Sequence, residues 1–316
     1  MDKRPLGKSG ITVAPLALGG NVFGWTLDEP GSFQVLDAFV EAGGNLIDTA
    51  NMYSAWVPGH QGGESERILG KWFKSSGKRD KVVLATKVGM PMGDGSKGLK
   101  RDYILRAVEE SLHRLQTDVI DLYQSHQDDP ETPLEETLSA YDTLLKQGKI
   151  RAIGASNYNA ARLQEAMQVS ASGGLPTYVS LQPEYNLYDR HDFETTLEPV
   201  CREHQLGVIG YYSLAAGFLT GKYRSPDDLG QSPRGGSIGK KYLNERGLRI
   251  LAALDAVASH HQTVPAVIAL AWLIQQPTVT APIASATSLN QLGDLIQATQ
   301  TKLAAEEMAL LDQASQ

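Results

Sequence analysis

An α/β fold whose eight parallel strands close into a barrel is what this sequence predicts, and three observations predict it. Short apolar runs rich in Val and Ile alternate with amphipathic helical patterns from residue 16 almost to residue 316. Such alternation means parallel strands joined by crossover helices. Eight runs qualify as strands, which is the number that closes a (β/α)8 barrel. No Gly-x-Gly-x-x-Gly turn follows the first run, although the doubly wound nucleotide-binding sheets usually carry one there. The closed barrel is therefore favoured over the open sheet.

The elements follow in order. Residues 4–6 and 12–14 flank a Gly-Lys-Ser-Gly turn, which predicts an N-terminal β-hairpin plugging the bottom of the barrel. Strands are expected at residues 16–18, 46–48, 82–86, 119–124, 150–155, 179–182, 208–211 and 279–282. Between them Ile104, Val108, Leu112 and Leu115 repeat at helical spacing, as do Leu134, Leu138, Tyr141 and Leu145. The first of these helices is expected to start behind Asp102 as its N-cap. Residues 217–247 are rich in Gly, Pro and Ser, and read as a long irregular loop of the kind that carries function. A last helix at about residues 305–314 leaves no long C-terminal loop to shape a pocket.

Composition narrows the function classes. With 41% apolar and 21% charged residues, the chain has enough apolar material for a core, and disorder is excluded. Its 29 Lys and Arg against 36 Asp and Glu give a net charge of −7, without the basic footprint that nucleic acid requires. Cys201 is the single cysteine, so no internal disulfide forms and a reducing compartment fits best. The N-terminal apolar stretch is broken by Gly and Pro, unlike a secretory signal. The longest membrane-like run, residues 264–274, is far shorter than the roughly 18–20 residues of a spanning helix. A cytoplasmic protein with no membrane partner is expected. Length alone would allow two domains, whereas the barrel reading makes residues 1–316 one domain.

Catalytic side chains of such a barrel come from the C-terminal ends of several strands. Here those ends carry Asp48, Lys87, His126, Asn157, Gln182 and Tyr211, one polar group per strand. Asp48 and Lys87 directly follow apolar runs and are costly to bury singly, so they are expected to pair. A purely structural ion pair is the plainer alternative. Tyr53, five residues beyond Asp48, carries little meaning by itself. His260 and His261 are adjacent on a helix and lack the i,i+4 spacing of a metal pair, so no metal is expected and both read as solvated. Gly217, Gly221 and Lys222 in GFLTGKY miss the P-loop spacing by one residue.

Taken together, the runs NLIDTANMY, GGESERILGKW, VVLATKVG, DVIDLYQSHQDDPETPLEETL, GKIRAIGASNY, SLQPEYN and AAGFLTGKY resemble the aldo-keto reductases, in the right order over nearly the whole chain. The resemblance implies a TIM barrel with extra helices around the eighth strand, and NAD(P)H-dependent reduction of small aldehydes or ketones. It puts Asp48, Tyr53, Lys87 and His126 in the family's catalytic tetrad. Ser156, Asn157 and Gln182 fall where the nicotinamide carboxamide is held, and Tyr211 where a ring stacks on the nicotinamide. Leu214, Gly217, Leu219, Gly221 and Lys222 fall on the phosphate side of the cofactor, with Ser285, Thr287, Gln291 and Asp294 near the adenosine. Trp25, Met52, Trp56 and Phe23 are expected to line the substrate wall.

The residue types suit carbonyl reduction. Hydride delivery builds negative charge on oxygen, which a phenol can stabilise and then protonate. Lys87 is expected to lower the pKa of Tyr53 toward neutrality, Asp48 to keep Lys87 charged, and His126 to position the carbonyl. Two other readings follow. One is a nicotinamide-loaded subunit with slow turnover, resembling the potassium-channel β subunits, against which His126 argues because those relatives carry a different residue there. The other is a Schiff-base aldolase using Lys87, which pairing with Asp48 would keep poorly nucleophilic.

Two departures from the family pattern bear on the cofactor. Tyr212 stands where the family commonly has Ser, and ASATSLNQLGDL lacks the Lys or Arg with which many relatives hold a 2′-phosphate. Charge-assisted contacts are roughly twice as strong as neutral ones, so Arg234 is the cation left to favour NADPH over NADH. Arg234→Ala should raise KM for NADPH several-fold with little change for NADH in steady-state kinetics. Equal effects on both cofactors would remove Arg234 from the 2′ position.

Overall fold

The computed structural model describes residues 1–232 and 235–316. A hairpin of β1 (Arg4–Pro5) and β2 (Thr12–Val13) precedes eight parallel strands. These are β3 (Ala17–Gly19), β4 (Leu46–Asp48), β5 (Val83–Val88), β6 (Ile120–Ser125), β7 (Ile150–Ser156), β8 (Ser180–Gln182), β9 (Gly207–Val208) and β10 (Ile283–Ala284). Their order is β10-β3-β4-β5-β6-β7-β8-β9. The ring closes where Ile283 donates its N–H to the Gly210 carbonyl at 2.8 Å and Val279 bridges Val208. The result is the expected (β/α)8 barrel.

Around it, α1 (Glu29–Glu41), α2 (Glu64–Ser76), α3 (Arg101–Leu115), α4 (Leu134–Lys146), α5 (Ala160–Gly173) and α6 (Glu198–His204) follow β3 to β8 in turn. Three more lie between β9 and β10: α7 (Gly235–Tyr242), α8 (Glu245–His260) and α9 (Pro265–Ile274). After β10 come α10 (Leu289–Ala298) and α11 (Ala305–Ala314). The helices α7, α8 and α11 are the extra ones flanking the eighth barrel strand.

Two apolar layers hold the fold. Inside the barrel, Ala17, Leu46, Ala85, Leu122, Ala152, Ile209 and Ile283 meet Leu6 and Val13 of the hairpin, which closes the bottom. Gly7 turns there with φ +52°, and a Cβ would lie 2.1 Å from the Val179 carbonyl oxygen, so only glycine lets the turn press against the strand ends. Outside the barrel, Leu36, Leu69, Val108, Leu138, Leu163 and Leu270 belong to the larger cluster between strands and helices.

Several sequence expectations need correction. The last strand is not 279–282: Pro282 has no N–H to offer a ladder, so residues 279–281 lean on Val208 and pairing with β3 begins at Ile283. Asp102 is not the N-cap of α3 but lies in its first turn, with Lys100 at the cap and Glu136 of α4 accepting from the Arg101 N–H at 3.0 Å. In α4, Leu144 is buried and Leu145 only partly so. The described residues within 217–247 are not irregular, because they hold most of one 3₁₀ turn, all of a second, α7 and the start of α8. His260 and His261 are not merely solvated: both bond to Glu307 of α11, tying that helix to the end of α8.

Leu6 is fully buried, so Leu6→Ala should lower the unfolding free energy by about 2–5 kcal/mol in urea titrations. A loss well under about 1 kcal/mol would mean the hairpin is a loose cover rather than part of the core.

Candidate active site

The strand register fixes which side chains meet above the apolar layer. Asp48 pairs in register with Ala85, and Lys87 with Gln124, so Asp48 and Lys87 converge from neighbouring strands. Lys87 Nζ donates to Asp48 Oδ2 at 2.7 Å, to the Thr49 carbonyl at 2.8 Å and to Tyr53 Oη at 2.8 Å. Three acceptors for one nitrogen match an ammonium, which has three N–H donors. Both charges are buried, Lys87 completely.

Tyr53 reaches the pair because the chain turns sharply after β4, with Ser54 at φ +75°. Its hydroxyl accepts from Lys87, and its own hydrogen has only a long contact of 3.4 Å to Asp48 Oδ2. The His126 ring lies edge-on to the Tyr53 ring, with centroids 5.9 Å apart. The four side chains thus form one cluster.

The electrostatics correct one expectation. Burial first, and then the Asp48 carboxylate, push the Tyr53 phenol well above the ordinary tyrosine range, so Lys87 does not bring it down to neutrality. Burial likewise pulls Lys87 below the usual lysine value, with Asp48 opposing. His126 is held well below the ordinary histidine range by burial and then by the Lys87 charge, which leaves it neutral. Its Nδ1 is buried without a partner among the described residues. A lone pair is cheaper to strand than an N–H, which puts the proton on Nε2.

A second shell connects this cluster to the next strand ends. Gln182 Nε2 donates to Asp48 Oδ1 at 2.9 Å, and Gln124 Nε2 reaches the same oxygen at 3.3 Å. Ser156 Oγ donates to the Gln182 carbonyl at 2.8 Å. Asn157, at φ +54°, donates to the His126 carbonyl at 2.8 Å and to Ser156 Oγ at 3.1 Å. Tyr211 Oη donates to Asn157 Oδ1 at 2.7 Å. A single chain of hydrogen bonds therefore runs from Tyr53 through Lys87, Asp48, Gln182, Ser156 and Asn157 to Tyr211. Gln124 and the Thr49 carbonyl were not singled out from sequence. The available signal was parity, since Gln124 faces the same way as Leu122 of the interior layer.

The remaining sequence-predicted residues lie farther out. Trp25 and Trp56 meet edge to face at 5.4 Å, and Tyr53 lies 6.0 Å from Trp56. Met52 is half-buried. Phe23 is fully buried in the core, so it is not part of this wall. In the loop after Tyr211, Tyr212, Ala215 and Ala216 all have positive φ, a clustering of strain typical of functional segments. Leu214 and Gly217 are partly exposed, Leu219 is fully buried and can offer only its main chain, and Gly221 caps the turn at φ +81°. The Lys222 ammonium lies 5.1 Å from the centre of the Tyr223 ring. Ser285 Oγ bonds Asn21 Oδ1 at 2.5 Å, in the space left by the missing side chain of Gly19. Gln291 accepts from the Thr287 N–H at 2.9 Å, and Asp294 is partly buried, which raises its pKa. Arg234 lies outside the described residues.

Next to this site is a cavity of about 1000 Å³, lined by Asn157 and Tyr211 on the barrel side and by Arg190, Arg246, Asp312 and Gln316 on the outer side. Tyr53, Lys87 and His126 do not line it. Asp312, Ser315 and Gln316, at the end of α11 and just beyond it, thus help to shape this cavity.

Comparison with known proteins agrees with this geometry. The sequence pattern of the Aldo/keto reductase family matches residues 15–316. The uncharacterized oxidoreductase YrpG of Bacillus subtilis (strain 168) is 35% identical over 99% of this chain and 95% of its own. Aldo-keto reductase YhdN of the same organism is 34% identical over 95% of this chain and 87% of its own. A probable voltage-gated potassium channel subunit beta of Oryza sativa subsp. japonica is 32% identical over 94% and 91%. No single helix among the described residues is long and apolar enough to cross a membrane. A match spanning the barrel from its first strand to its last helix, together with these relatives, makes the chain an oxidoreductase that belongs to the aldo/keto reductase family.

Proposed function

We propose that this protein, acting as one domain, reduces aldehydes or ketones to alcohols with NADPH, and that Tyr53 is the general acid. The observation that carries the reading is the Tyr53 hydroxyl. Its oxygen is anchored by Lys87 at 2.8 Å while its hydrogen has only a 3.4 Å contact, which leaves the hydrogen to be offered to a substrate oxygen.

The donor set suits a nicotinamide cofactor. Ser156, Asn157 and Gln182 put amide and hydroxyl groups on one rim, and Tyr211 offers a half-buried ring beside them. Lys222 and the left-handed turn at Gly217 and Gly221 supply a cation and backbone conformations that suit a pyrophosphate. The α10 N-terminus, with Ser285, Thr287 and Gln291 around it, suits the adenosine end. When bound, the cofactor supplies the hydride.

The chain's own residues manage the proton. As negative charge grows on the substrate oxygen, Tyr53 donates its hydrogen bond and then its proton to that oxygen, and solvent restores the phenol. Lys87 holds the phenolate left behind, and Asp48 holds Lys87. Neutral His126, with its proton on Nε2, is a second donor that aligns the carbonyl. Trp25, Met52 and Trp56 form an apolar wall for the rest of the substrate. A second reading, a nicotinamide-loaded subunit of slow turnover, draws on the relatives named as potassium channel β subunits.

Tyr53→Phe keeps the ring and removes the proton donor. It should lower kcat by roughly 10²–10⁴-fold while NADPH binding, followed by fluorescence titration, stays near wild type. A variant with normal turnover would exclude Tyr53 as the acid. A wild-type chain that binds NADPH but turns over no carbonyl of a broad panel would favour the second reading.

His126 gives a pH test. The unfolded chain takes a proton at this histidine below about pH 6.5, whereas the folded chain does not. The site therefore subtracts stability as pH falls, by up to about 1.4 kcal/mol per pH unit. His126→Gln should lose less stability than wild type between about pH 7.5 and pH 5 in urea unfolding. Parallel losses would show that the imidazole is protonated in the fold.

A further inference from the structure

Where the end of α8 meets the start of α11, away from the Tyr53 cluster, three ligand-type side chains converge. His260 is the last residue of α8 and His261 is its C-cap. Glu307 is in the first turn of α11. His260 Nδ1 lies 2.8 Å and His261 Nε2 lies 3.0 Å from the same carboxylate oxygen, Glu307 Oε1. The other oxygen, Oε2, accepts the Ala304 N–H at 2.8 Å. One nitrogen from each histidine and a carboxylate oxygen all lie within 4.8 Å of one another.

We propose that His260, His261 and Glu307 bind one divalent transition-metal ion of the zinc type, which staples the end of α8 to the start of α11. Two imidazoles and one carboxylate form the donor set of Zn²⁺ and its neighbours rather than of Mg²⁺ or Ca²⁺. Tetrahedral coordination at about 2.0–2.1 Å separates donors by about 3.3 Å. The present gaps of 2.8 and 3.0 Å need to open by only a few tenths of an ångström. His260, whose side chain is 78% exposed, is free to swing by that amount.

The carboxylate is ready for a cation. Its two oxygens already gather three polar contacts, from His260, His261 and the Ala304 N–H. With Oε2 kept on Ala304, Oε1 is oriented toward the histidines, the kind of outer-shell bond that fixes a metal ligand. To bind, each imidazole carries its N–H on the far nitrogen, His260 on Nε2 and His261 on Nδ1, and turns a lone pair to the ion. The fourth position is left to water.

The test uses the full chain without an affinity tag. Zn²⁺ binding is measured by competition with a chromophoric chelator, and Co²⁺ absorption reports the coordination. One equivalent per chain at micromolar affinity, with a tetrahedral Co²⁺ spectrum and a higher thermal midpoint, is expected. His260→Ala removes an exposed side chain without touching the core. Glu307→Gln retains an oxygen for the Ala304 N–H, so the helix start survives. Each variant should bind at least tenfold more weakly, and His204→Ala should bind like wild type. Absence of binding at tens of micromolar, or wild-type affinity in His260→Ala or Glu307→Gln, would overturn the site. Reductase activity is not part of the readout, so the site stands or falls independently of the proposed function.

Discussion

Everything at the top of this barrel depends on one buried ion pair. A fully buried ammonium is costly unless its donors are satisfied, and Lys87 meets that condition through Asp48, the Thr49 carbonyl and Tyr53. Removing one partner of such a pair typically costs about 3–5 kcal/mol. The pair in turn depends on strand register. A slip of one residue in β5 would turn Lys87 out of the barrel and bring Thr86 in. On the outer side Thr86 is itself engaged, donating to Glu66 Oε1 at 2.6 Å while Arg114 holds Glu66 Oε2 at 2.7 Å. Adjacent residues of one strand are thus locked on opposite faces by separate charged networks, which leaves the register no freedom.

This rigidity passes outward through amides. Gln182 and Gln124 both donate to Asp48 Oδ1, so the carboxylate has one oxygen for the lysine and the other for the barrel wall. The same Gln182 main chain holds Ser156, whose hydroxyl meets Asn157. The proposed proton donor, Tyr53, and the rim proposed for the nicotinamide are therefore positioned by one connected network. Beyond Tyr211 the character changes. Tyr212, Ala215 and Ala216 are held in left-handed backbone, at a cost of about 1–3 kcal/mol each. A strained loop beside a rigid floor suits a segment that must adapt to a ligand while the floor stays fixed.

The barrel was legible because strands buried on both faces read as unbroken apolar runs, and the charges that end them are conspicuous. Asp48 and Lys87 could be paired on that ground alone. What escaped depended on partners distant in sequence. The cap of α3 comes from Glu136 on the next helix, so nothing near Asp102 announces it. His260 and His261 gain their carboxylate from α11, and a search at helical spacing cannot find it. The helical turns within residues 217–247 are hidden because glycine disfavours helix in isolation and tertiary packing overrides it. The direction of the Tyr53 pKa was misjudged for a related reason. Sequence shows a cation nearby, whereas depth of burial is a property of the fold.

That direction has a consequence for chemistry. A phenol whose pKa is raised is a poor base in the resting protein, because it has no phenolate to take a proton from an alcohol. Toward an oxygen that gains charge during hydride transfer it can still act as an acid, because an ammonium stands beside the phenolate that would result. The charge left on Tyr53 then lies 2.8 Å from Lys87 Nζ, in surroundings where the attraction is little screened. Burial that opposes ionisation before the reaction thus strengthens the interaction that supports it afterwards.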